Sequence, residues 1–436
     1  MTLLADRIRP FGLIDAEAAR RVAAATDARA AAASAASAAA AAGHLPALDG
    51  VRGLAILLVM LTHFTLVQGG PVVDRVVGML GRFGWSGVDL FFVLSGFLIT
   101  GILLDAKGEP NYFRTFYARR TLRIFPLYYA FIFLATIVVP LLRFSWTDHF
   151  RTEGWTTPLY WLYLSNFAIT FSADAGNDLL GLTWSLAIEE QFYLVWPVLV
   201  LVLSRRSLAW TCAGAVAVSV LTRSAFVLAG ADRLHAYVLT PCRMDGLAIG
   251  CFVALVLRSD RTRSVARRAR ELLPRVKWLG LACAAGIVAL VGYHRTTSFV
   301  GGPGQALGYT VVALFYACVL VWVLASTETG IASRLFTQGW LTALGKYSYA
   351  LYLFHMAIHR LVREYVYGPD DFHTLGGSRL PGQIVFYFIC ASLSFVAAVL
   401  SWHGIERHFL RLKVLFPTRR DDVEARPAQR LVPAAV

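Results

Sequence analysis

Ten runs of about twenty mostly apolar residues decide what this chain can fold into. Lipid offers a backbone no hydrogen-bond partners, so runs of that length are satisfied as membrane-spanning helices. They fall at residues 48–67, 85–104, 123–142, 184–203, 208–229, 238–257, 278–293, 307–325, 341–359 and 383–403. An apolar stretch at 158–172, PLYWLYLSNFAITFS, is too short to span and reads as a re-entrant or interfacial piece. Only 16% of the 436 residues are charged, against roughly a quarter in soluble domains. An ordinary water-soluble enzyme is excluded. The fold class is all-α integral membrane, with about ten transmembrane helices.

The net charge of +14 would suit a nucleic-acid binder, but its placement argues for topology instead. Lys and Arg in short loops favour the cytoplasm. Loops 105–122 and 204–207 and the run RSDRTRSVARRARELLPRVK at 258–277 are all basic and all fall on one side. An even number of spans then puts the N- and C-termini in the cytoplasm, with anionic membrane lipid as a secondary contact and no nucleic acid as partner. Residues 1–44 form a tail, nearly all Ala and Ser over 23–42, with nothing that resembles a cleavable signal peptide. Residues 45–410 form the membrane domain and 411–436 a basic cytoplasmic tail. The six cysteines sit in or beside apolar runs without a C-x-x-C pair, which reads as packing rather than zinc or redox chemistry.

Polar groups inside spans are costly, so each is a functional candidate. In LDGVRGLAILLVMLTHF, Asp49 and Arg52 open the first span and His63 lies eleven residues beyond Arg52. Eleven steps return to within about 20° of one face and climb roughly 16 Å, so Arg52 and His63 are expected to line one cavity. In GWSGVDLFFVLSGFLIT, Asp89 is a buried-charge candidate, and Gly87, Ser95 and Gly96 permit close helix approach. Arg120 and Arg123 in FYARRTLRIFPLYY are three apart on one helical face, and planar guanidinium groups suit phosphates. In TWSLAIEEQFYLVWP, which contains Trp184, the residues Ser185, Glu189 and Tyr193 share a face while Glu190 points about 100° away. Glu189 is expected to meet an arginine or histidine from another span. TPCRMDGLAIG supplies Arg243 and Asp245, and LGKYSYALYLFHMAIH supplies His355 and His359 four apart. No HExxH or third ligand accompanies that pair, so no metal is expected.

These seven motifs, closed by the terminal WHGIERHF, occur in order over about residues 45–410 and resemble acyltransferase family 3, the bacterial integral-membrane O-acyltransferases of the O-antigen and peptidoglycan acetylase type. The resemblance implies a multi-pass protein of the bacterial inner membrane. It also implies a cytoplasmic acyl-CoA donor, acetyl-CoA in the first instance, and a hydroxyl acceptor on a carbohydrate or glycosylated small molecule. The family's motif residues fall on Arg52, His63, Arg120, Arg123, Glu189, Arg243 and His355. On that footing Arg120 and Arg123, helped by Arg52, would hold the donor's phosphates. His63 would be the general base, since neutral imidazole is available near pH 7. Asp49 or Glu189 would orient it. Asp89, Ser95, Trp184, Ser185, Tyr193, Arg243, Asp245 and His355 complete the intramembrane polar or substrate-binding set. A rival reading is a secondary transporter that binds ions and substrate with buried Glu, Arg and His, although no internal repeat is evident.

Overall fold

The computed structural model describes residues 45–418 except 68, 143–151, 153, 173–178, 261–262 and 300. The tail 1–44, most of 411–436 and parts of the loop 143–183 therefore lie outside the described residues. Each of the ten apolar runs is a long helix: α1 Pro46–Phe64, α2 Gly87–Ala106, α3 Tyr112–Phe133, α4 Thr183–Val202, α5 Arg205–Leu228, α6 Thr240–Leu257, α7 Val265–His294, α8 Tyr309–Ala325, α9 Gly339–Tyr365 and α10 Leu380–Ser401. Among the described residues nine helical segments are long and apolar enough to cross a membrane by composition. The tenth, α9, is 27 residues long but carries Lys346, His355, His359 and four tyrosines. Its histidines are buried against protein. The chain is a multi-pass, all-helical membrane protein.

Helix ends follow local chemistry. Pro241 and Pro381 sit in the first turns of α6 and α10, where a missing N–H costs nothing. The Ser204 hydroxyl accepts from the Ser207 backbone N–H and caps α5. The Lys107 ammonium donates to the carbonyls of Val200 and Leu203, neutralising the C-terminal end of α4. Gln383 of α10 binds the frayed end of α1, accepting from Leu66 and Val67 N–H and donating to the Phe64 carbonyl.

Without a hydrophobic force between helices in lipid, close packing and hydrogen bonds hold a bundle together. A Cβ added at Gly53 would stand 2.0 Å from the Leu341 carbonyl oxygen, and one at Gly345 would stand 1.9 Å from that of Asp49. α1 and α9 thus touch backbone to backbone. α2 and α6 do the same: added Cβ atoms at Gly96 and Gly250 would lie 2.0 Å from the Leu247 and Val93 carbonyls. Gly87 packs against α1 in this way too, 2.4 Å from the Ala55 oxygen. Ser95, read both as a small packing residue and as one of the intramembrane polar set, shares a hydrogen bond with the Tyr193 hydroxyl at 2.5 Å.

Two expected loops are partly helical. The basic run 258–277 becomes the first turns of α7, which starts at Val265 behind a Ser264 cap. Glu271 bonds Arg263 and Arg268 at 2.9 Å and keeps these turns wound. Thirty residues measure about 45 Å, well beyond a hydrocarbon core of about 30 Å, so the charged turns overhang it. The 158–172 stretch forms two short helices, Thr157–Trp161 and Ser165–Phe171, broken at Tyr163 with φ 55°. Its irregular carbonyls are met by protein: Tyr128 donates to Tyr160, and Gln191 to Tyr163.

Candidate active site

Where α1, α2, α3, α4 and α9 converge, a cavity of about 120 Å³ is lined by Arg52, Arg120, Arg123, Ser95, Ser185, Glu189, Glu190, Tyr193 and Tyr352, among others. Arg120 donates to the Tyr193 hydroxyl at 2.9 Å and lies 4.4 Å over its ring. Arg52 is held by Asp49 at 2.7 Å. Arg123 makes no hydrogen bond or ion pair among the described residues, so its donors remain available to an anion. Glu189 lines this cavity, near Arg120 but without an ion pair to it among the described residues. Glu190, expected off the face, lines it as well, because a cavity spanning several helices collects residues across more than 100° of α4.

A second cavity, of about 410 Å³, holds His63 together with Thr62, Arg82, Trp85, Trp184, Arg233, Tyr237, Gln305 and Tyr309. The two cavities share Val88 and Tyr352. Arg52 and His63 thus do not line one space. They line two, set back to back, and the Tyr352 ring forms the partition between them. That ring is pinned, for its hydroxyl donates to the Leu182 carbonyl at 2.9 Å and receives the Ser185 hydroxyl at 2.6 Å.

The His63 Nδ1 lies 3.1 Å from His355 Nε2 and 2.9 Å from the Val59 carbonyl. His355 Nδ1 faces the carbonyls of Leu351 and Tyr352, at 3.1 and 2.8 Å, which only accept. His355 therefore carries its proton on Nδ1 and presents a lone pair on Nε2. His63 answers with Nδ1–H, which makes Nε2 its proton-accepting nitrogen. His355 is thus the residue that orients His63, a role assigned in the sequence reading to Asp49 or Glu189. Asp49 sits fourteen residues down the same helix, about 21 Å away, and holds Arg52 instead. Glu189 lines the arginine cavity, not the one containing His63. His359 stacks on Phe64 at 6.1 Å and edges Phe386 at 5.7 Å. Among the described residues no group of three or more His, Cys, Asp or Glu is placed to hold a metal ion.

The remaining candidates form a separate polar layer. Arg243 pairs with Asp89 at 2.9 Å, both fully buried, and lies 4.4 Å over the Tyr309 ring and 5.7 Å over Trp184. Asp245 pairs with Arg223 at 2.9 Å and accepts from Thr310 at 2.6 Å. Arg223 also donates to the Ala306 and Cys242 carbonyls. Neither Asp89, Arg243 nor Asp245 lines the arginine or histidine cavity. Arg223 escaped the sequence reading, although an arginine inside LTRSAFVL of an apolar run carries the same signal as the others.

The acyltransferase domain family matches residues 45–403 of the chain. The chain belongs to acyltransferase family 3. Membership decides for an acyltransferase over a transporter. YrhL of Bacillus subtilis (strain 168), whose given name proposes a peptidoglycan O-acetyltransferase, is 30% identical over 329 residues, 72% of this chain and 48% of that protein. The peptidoglycan O-acetyltransferase OatA of Listeria monocytogenes serovar 1/2a is 29% identical over 371 residues, 81% of this chain and 54% of OatA. The chain thus spans about half the length of these curated relatives. No solved structure matches it.

Proposed function

We propose that this family-3 protein is an O-acyltransferase that moves an acetyl group from a coenzyme A thioester to a sugar hydroxyl, in a glycan of the peptidoglycan kind. The observation that carries the reading is the pair of cavities back to back, one lined by three arginines and the other holding an oriented histidine. Arg52, Arg120 and Arg123 suit the donor's phosphates, since guanidinium donors bind oxygens bidentately. In the orientation the basic loops favour, these arginines lie toward the cytoplasm, where an acyl-CoA is available. The names of the relatives support a carbohydrate acceptor.

In the proposed reaction the acceptor hydroxyl gives its proton to His63 Nε2 as its oxygen bonds the thioester carbonyl carbon. The carbon–sulfur bond then breaks, and the imidazolium returns the proton to the departing thiolate. While charged, His63 donates from both nitrogens, and the His355 Nε2 lone pair receives the Nδ1–H. The Tyr352 partition must turn aside for carbonyl carbon and hydroxyl to meet.

The test is turnover of His63→Gln and His63→Ala at matched membrane abundance. Both should fall by about 10²–10⁴-fold, because an amide preserves a hydrogen bond but takes up no proton. Near-normal turnover of the glutamine variant would overturn the role of His63.

A further inference from the structure

We infer that the histidine cavity is built for an anionic acceptor, a sugar whose hydroxyl meets His63 while its carboxylate meets Arg82. The inference rests on the acyl-transfer reading and adds the acceptor's charge class to it. Arg82 ends the helix Val72–Arg82, and its carbonyl accepts from the hydroxyl of Thr62, the residue just before His63. That bond ties the Arg82 backbone to α1 one residue from the base, and Arg82 lines the same cavity as His63. Its guanidinium has no carboxylate or other hydrogen-bond partner among the described residues, and no acidic side chain is found among the described lining residues. Every other buried or half-buried arginine described above that is not in the donor cavity has an acid beside it: Arg223 has Asp245 and Arg243 has Asp89. Arg82 is the exception, and it stands where the acceptor must bind.

The rest of the cavity suits a sugar ring. Trp85 and Trp184 offer flat apolar faces. Trp85 is fixed by its indole N–H, which donates to the Thr297 carbonyl at 2.8 Å, and Trp184 by the Tyr237 ring at 5.0 Å. Gln305 is fixed too, through Arg233 and Gly301. Aromatic faces take the C–H side of a pyranose and fixed polar groups its hydroxyls. A guanidinium then selects for a planar carboxylate through paired donors, which a neutral sugar does not engage.

The experiment is competition by saturation-transfer NMR on the full chain in lipid nanodiscs, with methyl glucuronoside, methyl glucoside and glucose 1-phosphate as probes. The glucuronoside should displace the glucoside at roughly tenfold lower concentration or better, the scale of one charge-assisted contact. Arg82→Gln should collapse that advantage, and Arg82→Lys should keep part of it, which a merely structural arginine would not produce. Equal binding of charged and neutral sugars, or an advantage that survives Arg82→Gln, overturns the inference. Preference for glucose 1-phosphate over the glucuronoside overturns the carboxylate and assigns the site to a phosphate. Acetyl transfer is measured in parallel on the same preparations. Acid-selective binding without transfer would remove the acyl-transfer reading alone, whereas transfer without acid selectivity would remove only this one.

Discussion

The polar layer of α2, α5, α6 and α8 and the arginine cavity both bury guanidinium groups in a membrane protein, and they do so on opposite terms. In the layer each arginine meets an aspartate at 2.9 Å, and neither lines the arginine or the histidine cavity. In the cavity, among the described residues, only Arg52 has a carboxylate at bonding distance, Arg120 leans on a tyrosine, and Arg123 has neither. Glu190 Oε1 likewise has no hydrogen-bond partner. An intramembrane charge is always expensive. A charge paired directly within the fold holds helices together, while arginines and glutamates that share a cavity without pairing keep donors and acceptors for a ligand.

The largest expected effect strikes the matched layer. Asp89→Asn strands Arg243 in a fully buried site and should cost about 3–5 kcal/mol, the scale for breaking a buried pair by removing one partner. Thermal unfolding of the purified protein should show it, and adding Arg243→Met should recover part of the loss. Wild-type unfolding combined with lost turnover would move this pair from scaffold to chemistry.

The cavity arginines should behave in reverse. Arg120→Ala with Arg123→Ala should leave the unfolding temperature unchanged and raise the donor KM, since each charge-assisted contact contributes about 1.5–3 kcal/mol. A double variant that unfolds early with an unaltered donor KM would erase the distinction between the two regions.

The smallest effect falls on the wall between the cavities. Tyr352→Phe removes the bonds to Ser185 and Leu182, worth about 1 kcal/mol, while keeping the ring. A looser partition should raise hydrolysis of the donor without acceptor by a few-fold, with transfer little changed. No rise in hydrolysis would mean that the hydroxyl does not hold the wall shut.

The ten helices were legible in the sequence because span length is a one-dimensional property. The grouping of Arg52 with Arg120 and Arg123 came from the family resemblance, while the placing of Glu189 beside His63 and of Arg52 in one cavity with His63 did not hold. Which groups meet across helices was not legible. Asp49 sits near Arg52 and far from His63, and His355 reaches His63 only because α1 and α9 pack so closely. The separation into two cavities lies at Val88 and Tyr352, on different helices, and no pattern along the chain encodes their meeting. Ser95 shows the same limit, since the sequence marked it as polar within a span but not that its partner is Tyr193 on α4.

The glycine contacts between α1 and α9 reach beyond packing. With Gly53 and Gly345 each seated against a carbonyl of the opposing helix, a slide or roll of either helix would drive backbone into backbone. His63 and His355 ride on these two helices, so the imidazole pair is fixed in register as the teeth of two meshed racks are. A carrier that alternates access by rocking one half against the other would shear this joint at every cycle. Here the substrate groups must come to the helices, and the moving part is reduced to a side chain.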